Sequence, residues 1–109
     1  MPHYLVQVAY NESAWQALIN NPHDRIEAVR PAIESLGGKI KDGYFAFGDY
    51  DAIVIAEMPD NITASAFSIA CAGGGAVKSI KTTPLMSTAE ALEALKKASR
   101  TGYRAATAG

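Results

Sequence analysis

From His3 to Tyr10 the chain alternates, with Tyr4, Val6, Val8 and Tyr10 on one side and His3, Leu5, Gln7 and Ala9 on the other, which is the period of a strand. Asn11 or Ser13 is then placed to cap a helix through Asn20, carrying Trp15, Leu18 and Ile19 on one side. Asn21-Pro22 marks a break and a restart, because Asn caps well and Pro is tolerated at a first helical position. Ile26, Val29, Ile33 and Leu36 follow at helical spacing, Pro31 is expected to bend that helix, and Gly37-Gly38 to end it with a left-handed cap.

The stretch from Lys39 to Met58 reads as a hairpin. Lys39 to Phe47 and Ala52 to Met58 are its strands, and Gly48, Asp49 and Asp51 are the structural turn residues, supplying backbone freedom and Asx hydrogen bonds. Pairing Phe47 with Ala52 sets Phe45 beside Val54, Tyr44 beside Ile55 and Asp42 opposite Glu57. Pro59 stops the strand, and Asp60 or Asn61 caps a helix whose apolar positions include Ile62, Ala66, Phe67, Ile69 and Ala70, ended by Gly73-Gly74-Gly75. Ala76 to Leu85 is a fourth strand, with Pro84 suited to its end or to a sheet edge. Ser87 or Thr88 caps a last helix with Ala91, Leu92, Leu95 and Ala98 on its buried side.

The order is β-α-β-β-α-β with a C-terminal helix, an α+β chain with the split arrangement of ferredoxin-like folds. Residues 1–99 form one domain, and residues 100–109 are expected to be a flexible tail. Both sides of the hairpin are largely apolar, so the face without helices needs its own cover. A second sheet supplies it most simply, which makes a dimeric α+β barrel the expected assembly.

Gly48-Asp49-Tyr50-Asp51, the strand Ala52 to Met58 with Pro59-Asp60 after it, and the later Ile80-Lys81-Thr82-Thr83-Pro84-Leu85 together resemble the GYD domain family of small, mostly bacterial proteins. The resemblance spans residues 3–98 and departs in reading Gly-Asp-Tyr-Asp where the family name implies Gly-Tyr-Asp. It implies a ferredoxin-like, dimeric α+β barrel, and it carries over no catalytic residues.

Composition changes this picture in three places. Hydrophobic residues make up 49% and charged residues 19% of 109, enough for one core with apolar surface left for a second copy. A net charge of −1 argues against a broad nucleic-acid or membrane surface. Within that total, residues 1–60 carry four bases against nine acids, −5, and residues 61–109 carry six bases against Glu90 and Glu93, +4. Cys71 stands alone, so no intramolecular disulfide or cysteine metal cluster forms, and a reducing cytoplasm fits.

Candidate chemistry is sparse. His3 and His23 have no metal-ligand partners at suitable spacing, so neither a metal nor a cofactor is expected. Cys71 reads as a small buried hydrophobe, and the triple glycine follows a helix, whereas phosphate loops precede one. The ligand-binding candidates are Tyr4, Tyr44 and Glu57, since a phenol and a carboxylate beside Ile53 and Ile55 combine apolar walls with a few polar groups. These residues favour a self-associating small-molecule binding or interaction module. The alternative is a cofactor-independent enzyme, monooxygenase-like or isomerase-like, drawn from fold analogy.

Overall fold

The computed structural model describes residues 1–108. Its elements run β1 (His3–Tyr10), α1 (Glu12–Asn20), α2 (Arg25–Ser35), β2 (Lys39–Phe45), β3 (Ala52–Glu57), α3 (Asn61–Gly73), β4 (Val77–Leu85) and α4 (Thr88–Ala98), followed by a 3-10 turn at Ala106–Ala108. The strands form one antiparallel sheet in the order β2-β3-β1-β4, the ferredoxin-like arrangement. Pro84 lies on the edge strand β4, where its missing amide costs no ladder bond to a further strand. Beyond Arg100 the residues from Thr101 to Thr107 are exposed, and Gly109, the last residue of the expected tail, lies outside the described residues.

Each helix starts where a side chain satisfies its first amides. Asn11 Oδ1 accepts from the Ala14 amide, Asp60 Oδ1 from Thr63, and Ser87 with Glu90 forms a reciprocal capping box on α4. The start of α2 differs from the expected Asn21-Pro22 restart. Asp24 Oδ1 accepts from both Ile26 N and Glu27 N, so the helix begins at Arg25, while the Asn21 amide donates back to Ala17 O and closes α1. One carboxylate holding two amides outweighs a single Asn cap. Gly37, at φ +83°, ends α2 in a Schellman turn, with Gly38 N donating to Ile33 O and Gly37 N to Glu34 O.

The hairpin is shorter than the sequence suggests. Phe45, not Phe47, stands opposite Ala52, and the chain reverses through the loop at residues 46–51, leaving Phe47 fully exposed. Asp51 is the reason. Its amide donates to Val8 O at 2.8 Å and its Oδ2 accepts from Tyr10 N at 3.0 Å, tying the loop to the end of β1. Its carboxylate therefore bonds another strand, not the turn's own backbone. A register shift between Ile40 and Asp42 moves the far end again, so Glu57 pairs with Lys39 and Asp42 with Ile55. The facing carboxylates expected at Asp42 and Glu57 are not formed.

The core lies between the sheet and α2 and α3, built from Tyr4, Val6, Ile26, Ile33, Ile40, Val54, Ala56, Met58, Ala64 and Phe67. On α3 only Ala64 and Phe67 are buried, and Ile62 and Ile69 face outward. The correction is larger for α4. Its expected buried side is not buried: Leu92 is 52% and Leu95 67% exposed, because the helix leaves the body of the chain. The radius of gyration is 17.5 Å and the long axis 59 Å, against about 13 Å of radius for a compact chain of this length.

Two glycines test the packing from different causes. A β-carbon at Gly38 would collide with Met58 Sδ, with Glu57 O at 2.7 Å and with Ile33 Cγ2 at 3.1 Å, whereas Gly48 has open space but φ +142°. Gly38→Ala is expected to cost about 1–3 kcal/mol through overpacking. Gly48→Val is expected to cost about 1 kcal/mol or more through backbone strain alone. Urea denaturation of both variants checks this, and equal stability of Gly38→Ala and wild type would mean the α2 to β2 junction is looser than described.

Candidate functional site

Cross-strand partners in an antiparallel sheet share a face. On the face turned away from the helices, the register brings together His3, Leu5 and Gln7 of β1, Ile53, Ile55 and Glu57 of β3, Lys39, Asp42 and Tyr44 of β2, and Lys81, Thr83 and Leu85 of β4. Leu5, Ile53 and Ile55 form its half-buried apolar centre, and Tyr44 stands beside Ile53 with 60% of its surface exposed. Gln7 and Lys81 flank this centre at one end, and His3, Glu57 and Lys39 meet at the other. Glu57 Oε1 lies 3.3 Å from His3 Nε2, with Lys39 paired across the strand from Glu57. An imidazole and a carboxylate at that distance can share a proton or orient a polar ligand.

Of the three ligand-binding candidates, Tyr44 and Glu57 therefore occupy this open face, and Tyr4 does not join them. Tyr4 points to the helix side, 1% exposed, and its hydroxyl donates to Asn61 Oδ1 at 2.5 Å. It is a core tyrosine whose polar end is satisfied at the first residue of α3, beside a recess of about 410 Å³ between α3 and β4. One sequence does not say which face of β1 joins which face of β3, so His3 was the open-face residue that sequence reasoning missed. Gly48 and Asp49 stay in the exposed loop, and Asp51 serves the β1 anchor.

The chain matches the GYD domain family profile over residues 4–95. It belongs to the GYD domain family. No curated protein matches it. The loop that carries the resemblance is, in this GYD protein, a structural joint between β3 and β1, since Asp51 bonds two β1 backbone groups.

A second recess lies on the other side of the sheet, a trough of about 660 Å³ between α2 and α3 with walls from Val29, Ile33 and Phe67. Tyr10, His23, Arg25 and Cys71 line it too, with Ser35 near the far end of α2. Burial pushes the Tyr10 phenol above its ordinary value, with the nearby Arg25 guanidinium pulling it down, and burial likewise raises the Cys71 thiol. Cys71 is thus a protonated, half-buried thiol and not an activated nucleophile. Among the described residues no three His, Cys, Asp or Glu side chains cluster as a metal site, and no helix is long and apolar enough to cross a membrane.

If Tyr4 is a core residue, its hydroxyl matters to stability alone. Tyr4→Phe leaves Asn61 Oδ1 without its donor and is expected to lower stability by about 0.5–1.5 kcal/mol, measured by urea denaturation. Binding of any open-face ligand should be unchanged, and a loss of binding with native stability would return Tyr4 to the site.

Proposed function

We propose that this GYD protein is a self-associating small-molecule binding module in a reducing cytoplasm, in which two copies pack their open sheet faces together as a dimeric α+β barrel. One observation carries the reading: helices cover one face of the sheet, while the other is centred on Leu5, Ile53 and Ile55 with no layer of the described residues over it. A protein surface of that kind gains from association, because burying apolar area contributes about 25 cal/mol per Å². The projecting α4, with Leu92 and Leu95 exposed, adds a second apolar surface for the partner copy to cover. Enclosed between two sheets, Tyr44, Glu57 and His3 would supply a phenol, a carboxylate and an imidazole to a ligand held against Ile53 and Ile55. The partners are thus a second copy and a small molecule, with no nucleic acid or membrane surface and no resident cofactor.

The His3 and Glu57 pair favours the enzyme reading as second choice. An acid and base couple 3.3 Å apart, at the edge of the cavity that two packed sheets would close, suits proton transfer in a cofactor-independent isomerase or monooxygenase. Turnover of the bound compound separates that reading from simple binding.

Light scattering at micromolar concentration should give a dimer or higher oligomer. Ile55→Lys, which puts a charge at the centre of the face, should yield monomer with an unchanged far-ultraviolet spectrum, since a central interface residue carries about 2 kcal/mol or more. A wild-type protein that is only monomer sinks the assembly. For the site, native mass spectrometry identifies what co-purifies, and Tyr44→Phe and Glu57→Gln should each weaken its binding by roughly the 0.5–3 kcal/mol of a neutral or charged hydrogen bond. Unchanged affinity in both, with the oligomer intact, moves the site elsewhere.

A further inference from the structure

The trough between α2 and α3 has the make-up of a ligand site in its own right. Its volume, about 660 Å³, falls within the roughly 300–1,000 Å³ of small-molecule pockets, which are mostly apolar with a few polar groups that fix orientation. Here the apolar wall is Val29 and Ile33 of α2 facing Phe67 of α3, over Val6 and Val54 of the sheet. The polar groups converge on Arg25. Its Nη1 lies 3.2 Å from His23 Nε2, while His23 Nδ1 lies 2.8 Å from Asn21 O. With Nδ1 donating to that carbonyl, Nε2 accepts from Arg25 and steadies the guanidinium. Tyr10 and Cys71 are both close enough to feel its charge.

Arg25 has no carboxylate within salt-bridge distance among the described residues, although it is half-buried. It also sits in the first turn of α2, the end of a helix where a cation is unfavourable. By contrast, Arg30 on the same helix is bound by Glu27 at 2.7 Å. A half-buried guanidinium at the mouth of an apolar trough, with a phenol beside it, is matched by an anionic head on an apolar body.

We propose that this trough binds a small amphipathic carboxylate, its head on Arg25 and Tyr10 and its hydrocarbon or aromatic body along α2 toward Ile33. The direction follows from α2 itself, which runs away from Arg25 along the trough for eleven residues, about 16 Å. The site is separate from the open sheet face. Helix α4 of a second copy is a poorer occupant, because its last turn carries Lys96 and Lys97, which would add cations beside Arg25.

The test uses the full chain, decanoate as probe and decan-1-ol as its neutral counterpart, followed by amide nuclear magnetic resonance and calorimetry. Decanoate should bind saturably and more tightly than the alcohol, shifting amides of Val29, Ala32, Phe67 and Ala70. Arg25→Gln should weaken decanoate by about tenfold or more and leave the alcohol unchanged, the effect of losing one charge-assisted contact. Should Arg25→Gln fail to fold, Tyr10→Phe serves instead, with a loss of about threefold or more for decanoate alone. Equal affinity for the two probes, shifts centred on Leu5, Ile53 and Ile55, trough amides that respond to dilution of the protein and not to decanoate, or no saturable binding would each overturn the proposal. None of these outcomes depends on whether Tyr44 and Glu57 bind the compound that co-purifies.

Discussion

A four-stranded sheet has two faces, and this chain has helices for one. That inequality governs the rest of the structure. With α2 and α3 committed to Tyr4, Val6, Val54 and Ala56, the second face is left to Leu5, Ile53 and Ile55, which are too apolar for water and too few for a core. The elongated shape has the same origin, since α4 carries an apolar stripe, Leu92 and Leu95, that stays exposed among the described residues. Local signals at α4 are strong, with a capping box at its start and Lys96 and Lys97 in its last turn. The helix is therefore well specified by its own residues, while its packing is not.

This division explains what could be read from the chain and what could not. Element order, the left-handed stop at Gly37 and the starts of α1, α3 and α4 depend on residues within a few positions of one another and are legible, each cap as one of two neighbouring candidates from which the structure selects Asn11, Asp60 and Ser87. The hairpin register was not. It is set by Asp51 reaching Tyr10, 41 residues away, and by an irregularity near Lys41, neither of which leaves a local signature. Gly48-Asp49-Tyr50-Asp51 looked like a tight turn because Gly and Asp favour one. Held by β1 at its last residue, the same tetrapeptide becomes part of a longer loop.

The consequence for the candidate site is chemical as well as geometric. Moving the register by two residues keeps Tyr44, Ile53 and Ile55 on one face, so the apolar part of the reading is insensitive to the error. The charged part is sensitive. Opposite Asp42, Glu57 would face a like charge; in the observed register it stands opposite Lys39 and 3.3 Å from the His3 imidazole. The geometry offers Glu57 a hydrogen-bonding couple with His3 in place of a carboxylate dyad.

Tyr4 and Tyr10 show how the sheet sorts similar side chains into different roles. Both come from the same alternating set of β1, and both turn toward the helices. Tyr4 meets Asn61 Oδ1 and is fully enclosed, so its hydroxyl completes the core. Tyr10 lies at the strand end, where its ring packs edge-on against Trp15 at 5.5 Å and its phenol looks into the trough beside Arg25. Tyr10, His23, Arg25 and Cys71 come from β1, the α1 to α2 connection, α2 and α3, and no spacing rule links them. Only the stacking of α2 and α3 on the sheet brings them together. Chemistry assembled in this way is invisible to motif reading, and a guanidinium without an acid partner in such a place is informative because burial makes an unmatched charge costly.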